Sequence, residues 1–209
     1  MDVYISEQEQ VEAIRSWWTE NGKSVIFGIV LGLAAIFGWR EWQSYKINQS
    51  ITASDLFQEV IVSLQQNQIQ EAKDPANEVI RNYEKTGYAI LNRLILAQLA
   101  VADNDYSPAE EHLLWALDNT QNESLLHEIR VRLIRVYIAE KKFDEALSLL
   151  TESNQGVFKS IYEELRGDIY VLQGKINEAR TSYLQAIELS NSSSVDLTFL
   201  NMKLNDLGR

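Results

Sequence analysis

GDIYVLQGKINEARTSYLQAI, Gly167 to Ile187, is the stretch whose reading decides the fold. As a pattern it is Gly167-x2-Tyr170-x3-Gly174-x-Ile176-x2-Ala179-x3-Tyr183-x2-Ala186-Ile187. Thirty-three residues earlier the same offsets carry Ile134, Tyr137, Lys141, Phe143, Ala146, Leu150 and Ser153. Thirty-seven residues before those stand Ala97, Ala100, Asn104, Tyr106, Ala109, Leu113 and Ala116, followed by Leu117. Self-similarity at this period marks a helical repeat protein. The physical reason is packing. Small residues such as Ala146, Gly167, Ala179 and Ala186 let paired helices approach, and Tyr137, Phe143, Tyr170 and Tyr183 fill the space between neighbouring pairs. One pair cannot bury its own apolar face, so pairs must stack.

At these residues the pattern resembles the tetratricopeptide repeat. The copy at 160–190 matches best; the copy at 127–156 carries Ile134 and Ser153 at small-residue positions, and the copy at 90–119 has Ala100 where an aromatic is expected. The resemblance implies an all-α solenoid of antiparallel helix pairs over 67–209, with the first helix of each pair facing a concave groove. On that basis Asn92, Arg93, Arg130 and Arg166 are candidate groove residues. Ahead of the three copies, Asp74-Pro75 reads as the start of one further helix reaching Glu84, which together with 50–66 forms a degenerate first pair. Behind them, Val195 to Leu207 reads as a capping helix, with Val195, Phe199, Met202 and Leu204 on its apolar face.

Towards the N-terminus the character changes. Ser24 to Trp39 is sixteen residues without a charge, edged by Lys23 and Arg40, with Trp17 and Trp18 on one side and Trp39, Trp42 and Tyr45 on the other. Aromatic and basic flanks around an apolar run are how a membrane-spanning helix meets its two interfaces. At about 1.5 Å per residue the run covers roughly 24 Å of a ~30 Å hydrocarbon core. The basic stems of Lys23 and Arg40 close the shortfall by reaching to the headgroups. The expected transmembrane helix is therefore 23–42. Large residues after the core and five acids before it, Asp2, Glu7, Glu9, Glu12 and Glu20, argue for a retained anchor rather than a cleaved signal peptide. Within the span Gly28-x-x-x-Gly32 offers a small-residue face, either a smooth surface to lipid or a contact for a partner helix.

Before the anchor, Ser6 to Glu9 has a capping-box pattern, Val11, Ile14, Trp17 and Trp18 follow at helical spacing, and Asn21-Gly22 is the expected stop. Residues 1–22 thus read as an amphipathic segment lying at the membrane surface, with a frayed polar tail as the alternative. After the anchor, 43–66 has neither Pro nor Gly, and Ile47, Ile51, Ser54, Leu56, Phe57, Val60, Ile61 and Leu64 give a helical stripe. This is a stiff stem rather than a loose tether.

Composition narrows the function. The chain has no cysteine and only two prolines, Pro75 and Pro108, so disulfides and thiolate metal sites are excluded and helices are favoured. Beyond residue 46 there are fifteen basic and twenty-four acidic residues, a net charge of −9. Such a domain is repelled by phosphate backbones, which sets nucleic acid aside as a partner. Nor is a catalytic motif present. His112 and His127 lie in different helices without metal-ligand spacing. Glu110-Glu111 and Glu163-Glu164 are helical neighbours about 100° apart, so each pair reads as a solvated face. Arg130, Arg132, Arg135, Lys141 and Lys142 form a basic cluster in which Arg132 and Arg135 share a face. That cluster is either solvated or matched to an acidic patch on a partner.

The whole layout resembles the YfgM-like family, ancillary subunits of the SecYEG translocon. The resemblance is carried by an acidic start with Tyr4, then Glu9-Gln10-Val11-Glu12-Ala13, Glu20-Asn21-Gly22-Lys23, Gly28 through Gly38-Trp39-Arg40 and Trp42, and the repeats ending in Leu165-Arg166-Gly167-Asp168. It implies a non-enzymatic, cofactor-free, single-pass inner-membrane protein with a cytoplasmic N-terminus and a periplasmic repeat domain. The implied partners are the SecYEG translocon, a membrane-anchored periplasmic chaperone, exported client proteins and, through the anchor, membrane lipid. The charges flanking the anchor are level and leave orientation open. A cytoplasmic scaffold for signalling or complex assembly is the alternative of a different class.

Overall fold

Apolar residues at three- and four-residue spacing, with Gly, Asn or Asp between the runs, produce helices throughout the described residues. The computed structural model describes residues 7–151, 156–190 and 197–208. Ser6 and Val195, which entered the capping-box and cap readings, lie outside them, as does Ser153 of the second repeat. The first helix, α1, runs Glu7–Gln65. Then come α2 (Ile69–Asn82), α3 (Gly87–Ala102), α4 (Tyr106–Asn119), α5 (Glu123–Ala139) and α6 (Phe143–Leu149). A single 3-10 turn (Gly156–Phe158) precedes α7 (Lys159–Leu172), α8 (Ile176–Ser190) and α9 (Thr198–Asp206). The chain divides into two units, Met1–Thr52 and Ala53–Arg209.

In the first unit α1 does not stop at Asn21-Gly22. The Asn21 amide donates to the Trp17 carbonyl 3.1 Å away, one turn back. The Trp18 indole lies over Gly22 at the distance a Cβ there would touch, 3.2 Å. Asn21 therefore bonds within the helix rather than ending it, and a mid-helix glycine costs only about 1 kcal/mol. The helix has its last residue at Gln65.

The second unit is a stack of helix pairs. Its first pair combines the end of α1 with α2. Ala53 and Val60 are fully buried, Val60 against Ala72, Ala76 and Leu96, and Ala53 beside Val79 and Ala89. Here α2 starts at Ile69, six residues before Pro75 of the Asp74-Pro75 signal. Ala72, Pro75, Ala76 and Val79 form one buried face. Pro75 removes only its own N–H from that helix, and the carbonyl it would have engaged belongs to exposed Glu71. The gain from burying the face outweighs that single lost bond.

The pairs α3–α4, α5–α6 and α7–α8 follow the three sequence copies. Their shared core includes Leu113, Ile129, Leu133, Ile134, Leu150, Tyr162 and Ile169, all buried. Gly167 faces Tyr183, whose ring occupies the space a Cβ would need. Every pair is joined by one turn geometry. The N–H of Gln68, Asp105, Lys142 and Lys175 donates to the carbonyl of Ser63, Ala100, Tyr137 and Tyr170, at 2.8–2.9 Å. The residue before each donor, Asn67, Asn104, Lys141 or Gly174, has positive φ. This is the Schellman ending of a helix, and its fourth occurrence, at Asn67, makes the first pair a true repeat unit.

The cap α9 closes on α8, but through a different face from the apolar stripe in the sequence. Leu200 is 4% exposed, whereas Phe199 and Met202 are 60% and 56% exposed. The covered face is Leu200, Lys203, Leu204 and Leu207. Lys203 is held there by Asp168, at 2.7 Å to both oxygens, and by Glu164 at 2.8 Å. A lysine in the covered stripe hides that stripe from hydrophobic periodicity.

Candidate partner-binding groove

A concavity lies between the first helices of two successive pairs. Between α3 and α5 it is a cavity of about 380 Å³. From α3 it takes Leu94, Ala97, Gln98 and Val101, and from α5 Arg132, Arg135, Val136 and Ala139. Each set follows i, i+3, i+4, i+7 spacing, one helix face. Tyr106 and Leu113 of α4 complete the lining. No acidic residue lines the cavity, and among the described residues Arg132 and Arg135 make no ion pair.

The four repeat-domain residues proposed from the sequence do not line this cavity. Asn92 is fully buried and donates to the Tyr88 carbonyl at 2.8 Å. Arg93 lies with its guanidinium 4.2 Å from the Trp115 ring centre and 3.4 Å from His112 Nδ1. Burial lowers the Arg93 pKa, with Glu111 and Glu84 opposing. Burial, then the Arg93 charge, also lowers that of His112, which favours the neutral ring that can accept from the guanidinium. Arg130 is 5% exposed. It occupies the repeat position of Arg93, and Glu163 is the third equivalent. All three are drawn into the packing between pairs. Arg166 bonds Glu163 at 2.7 Å and the Leu150 carbonyl at 3.3 Å, so it ties α7 to the end of α6. The anchor glycines Gly28 and Gly32 stand exposed on α1, with nothing within 4 Å of where a Cβ would be.

Two carboxylates expected on solvated faces are structural instead. Glu163 is buried under its ion pair with Arg166. Glu110 accepts from Tyr137 at 3.2 Å and from Lys142 at 2.7 Å, bridging α4 to the α5–α6 turn. These bonds absorb Lys142 from the basic cluster, and burial absorbs Arg130. His127 is packed, its Nδ1 2.7 Å from the Tyr162 hydroxyl and its ring stacked on Phe158. What remains facing the cavity is Arg132 and Arg135. The signal that finds them is their i, i+3 spacing on the first helix of a pair, one residue round from the Arg93/Arg130 position.

Stacked helix pairs with this turn, carried on a chain with one N-terminal helix long and apolar enough to cross a membrane, define a tetratricopeptide-like repeat protein with an anchor. A family model described as tetratricopeptide repeat-like domain matches residues 15–209. The chain is 34% identical over 203 residues to the ancillary SecYEG translocon subunit of Haemophilus influenzae, covering 97% of this chain and 98% of that one. It is 30% identical over 207 residues to the protein of that name from Escherichia coli K12, with 99% of each chain covered. The relative from Neisseria gonorrhoeae is 28% identical over 209 residues, covering 99% and 100%. The chain belongs to the family of ancillary SecYEG translocon subunits, a non-catalytic kind of protein.

Proposed function

We propose that this protein is a single-pass inner-membrane adaptor of the SecYEG translocon. The N-terminus is cytoplasmic and the repeat domain periplasmic. The domain engages a membrane-anchored periplasmic chaperone and exported client proteins, and so assists export. The anchor meets lipid, and its Gly28–Gly32 face meets a helix of the translocon, where small residues permit close approach.

The observation that carries this reading is the bare apolar stretch of α1 from Ser24 to Trp39. The rest of the protein leaves nearly all of that stretch uncovered. An uncovered apolar face of that length is satisfied by lipid or by a membrane partner. Nearly full-length likeness to proteins named as translocon subunits supports the partner.

The chain has no native cysteine, so single cysteines report without background. Ser50→Cys and Ser107→Cys in intact cells should react with an impermeant maleimide from the periplasmic side. A photocrosslinker at Gly28 or Gly32 should capture a translocon subunit. Labelling from the cytoplasmic side alone would replace this reading with that of a cytoplasmic scaffold.

A further inference from the structure

The groove between α3 and α5 combines three properties that one class of partner satisfies. Its floor is apolar, from Leu94, Ala97 and Val136. Its volume, about 380 Å³, is within the range of ligand pockets, roughly 300–1,000 Å³. Its α5 edge carries Arg132 and Arg135, both exposed, with no carboxylate among the lining residues. The last property stands against the background of the domain. Beyond residue 46 acids outnumber bases twenty-four to fifteen, and two other cations are committed, Lys142 to Glu110 and Glu140, and Arg166 to Glu163. Two arginines three apart on a helix hold their side chains about 5–6 Å from one another at the Cβ. That spacing serves two carboxylates, and a guanidinium fork accepts each with directional bonds.

We infer that this groove binds an unfolded protein segment in which a large apolar side chain is flanked within a few residues by Asp or Glu. The apolar side chain enters between α3 and α5, and the carboxylates reach Arg132 and Arg135. The excess of acids over bases beyond residue 46 disfavours basic segments, so the same geometry selects by charge. The inference deepens the adaptor reading by naming what the repeat domain takes.

The test uses the full-length chain in lipid nanodiscs with three fluorescent twelve-residue peptides. One has Leu and Phe flanked by Asp and Glu, one has the acids replaced by Lys, and one keeps the acids with Ser in place of the apolar residues. The acidic-apolar peptide should bind, weaken with added salt, and outcompete both others. In the double variant R132E/R135E its affinity should fall about tenfold or more, while the Lys peptide gains. That exchange of preference cannot come from misfolding, and unchanged helical circular dichroism accompanies it. Equal binding of the acidic-apolar peptide to wild type and double variant would overturn the inference. So would equal binding of the Lys peptide to wild type, no binding of any peptide, or a concentration-dependent dimer that the double variant abolishes, since a second copy would then be the occupant. Crosslinking from Gly28 reports the translocon contact separately, so the groove assignment and the adaptor reading fail independently.

Discussion

Gly174 sits at φ +74 with nothing near the place where a Cβ would stand. Any penalty for a side chain there is therefore backbone strain alone. Gly174→Ala should destabilise the domain by about 1–2 kcal/mol, measured by urea denaturation. At the equivalent position of the second repeat Lys141 already bears that strain, at φ 61. Its turn has the same backbone bond as that at Gly174, here the Lys142 N–H on the Tyr137 carbonyl, and adds the Lys142 side chain on Glu110. A Gly174→Ala variant as stable as wild type would mean that the turn relaxes to another geometry. Gly167 is a different case. There φ is helical and the obstacle is Tyr183, so the sequence signal, a glycine in a helix, has a packing cause rather than a conformational one.

At the scale of elements, the cap shows how a charge can be part of an interior face. Lys203 on α9 meets Asp168 and Glu164 of α7, and Asp168 also accepts from Tyr183 of α8 at 2.7 Å. Burial, then this bond, raises the Tyr183 pKa, so the phenol stays a donor. Three helices thus meet at one carboxylate. Lys203→Met keeps the aliphatic packing but leaves two half-buried carboxylates without their cation. It should cost about 1–3 kcal/mol, and adding Asp168→Asn should recover part of that loss. Strict additivity in that double-mutant cycle, read from thermal unfolding, would show that the pair is not coupled.

For the whole molecule, the anchor and the stack answer to different solvents. Leu31 stands midway along the uncharged run and is exposed on α1. An arginine at the centre of a spanning helix costs about 2.5–3.5 kcal/mol on insertion scales. Leu31→Arg should therefore shift part of the protein into the carbonate-extractable fraction, while the repeat domain keeps its helical signal. Complete retention in the membrane pellet would show that something other than the apolar run holds the chain there.

Sequence alone determined the repeat period, the helix pairs and the uncharged run, because each is a pattern of residue types along the chain that needs no knowledge of which faces are covered. Tertiary structure decided which face of each helix is covered. It buried Asn92, Arg130 and Glu163, turned α9 by one residue onto Lys203, and left Arg132 and Arg135 at the groove. The reason is physical: a charged side chain carries no hydrophobic signal, so whether it is paired inside or bare at a surface depends on partners thirty or more residues away, such as Asp168 for Lys203 and Glu110 for Lys142.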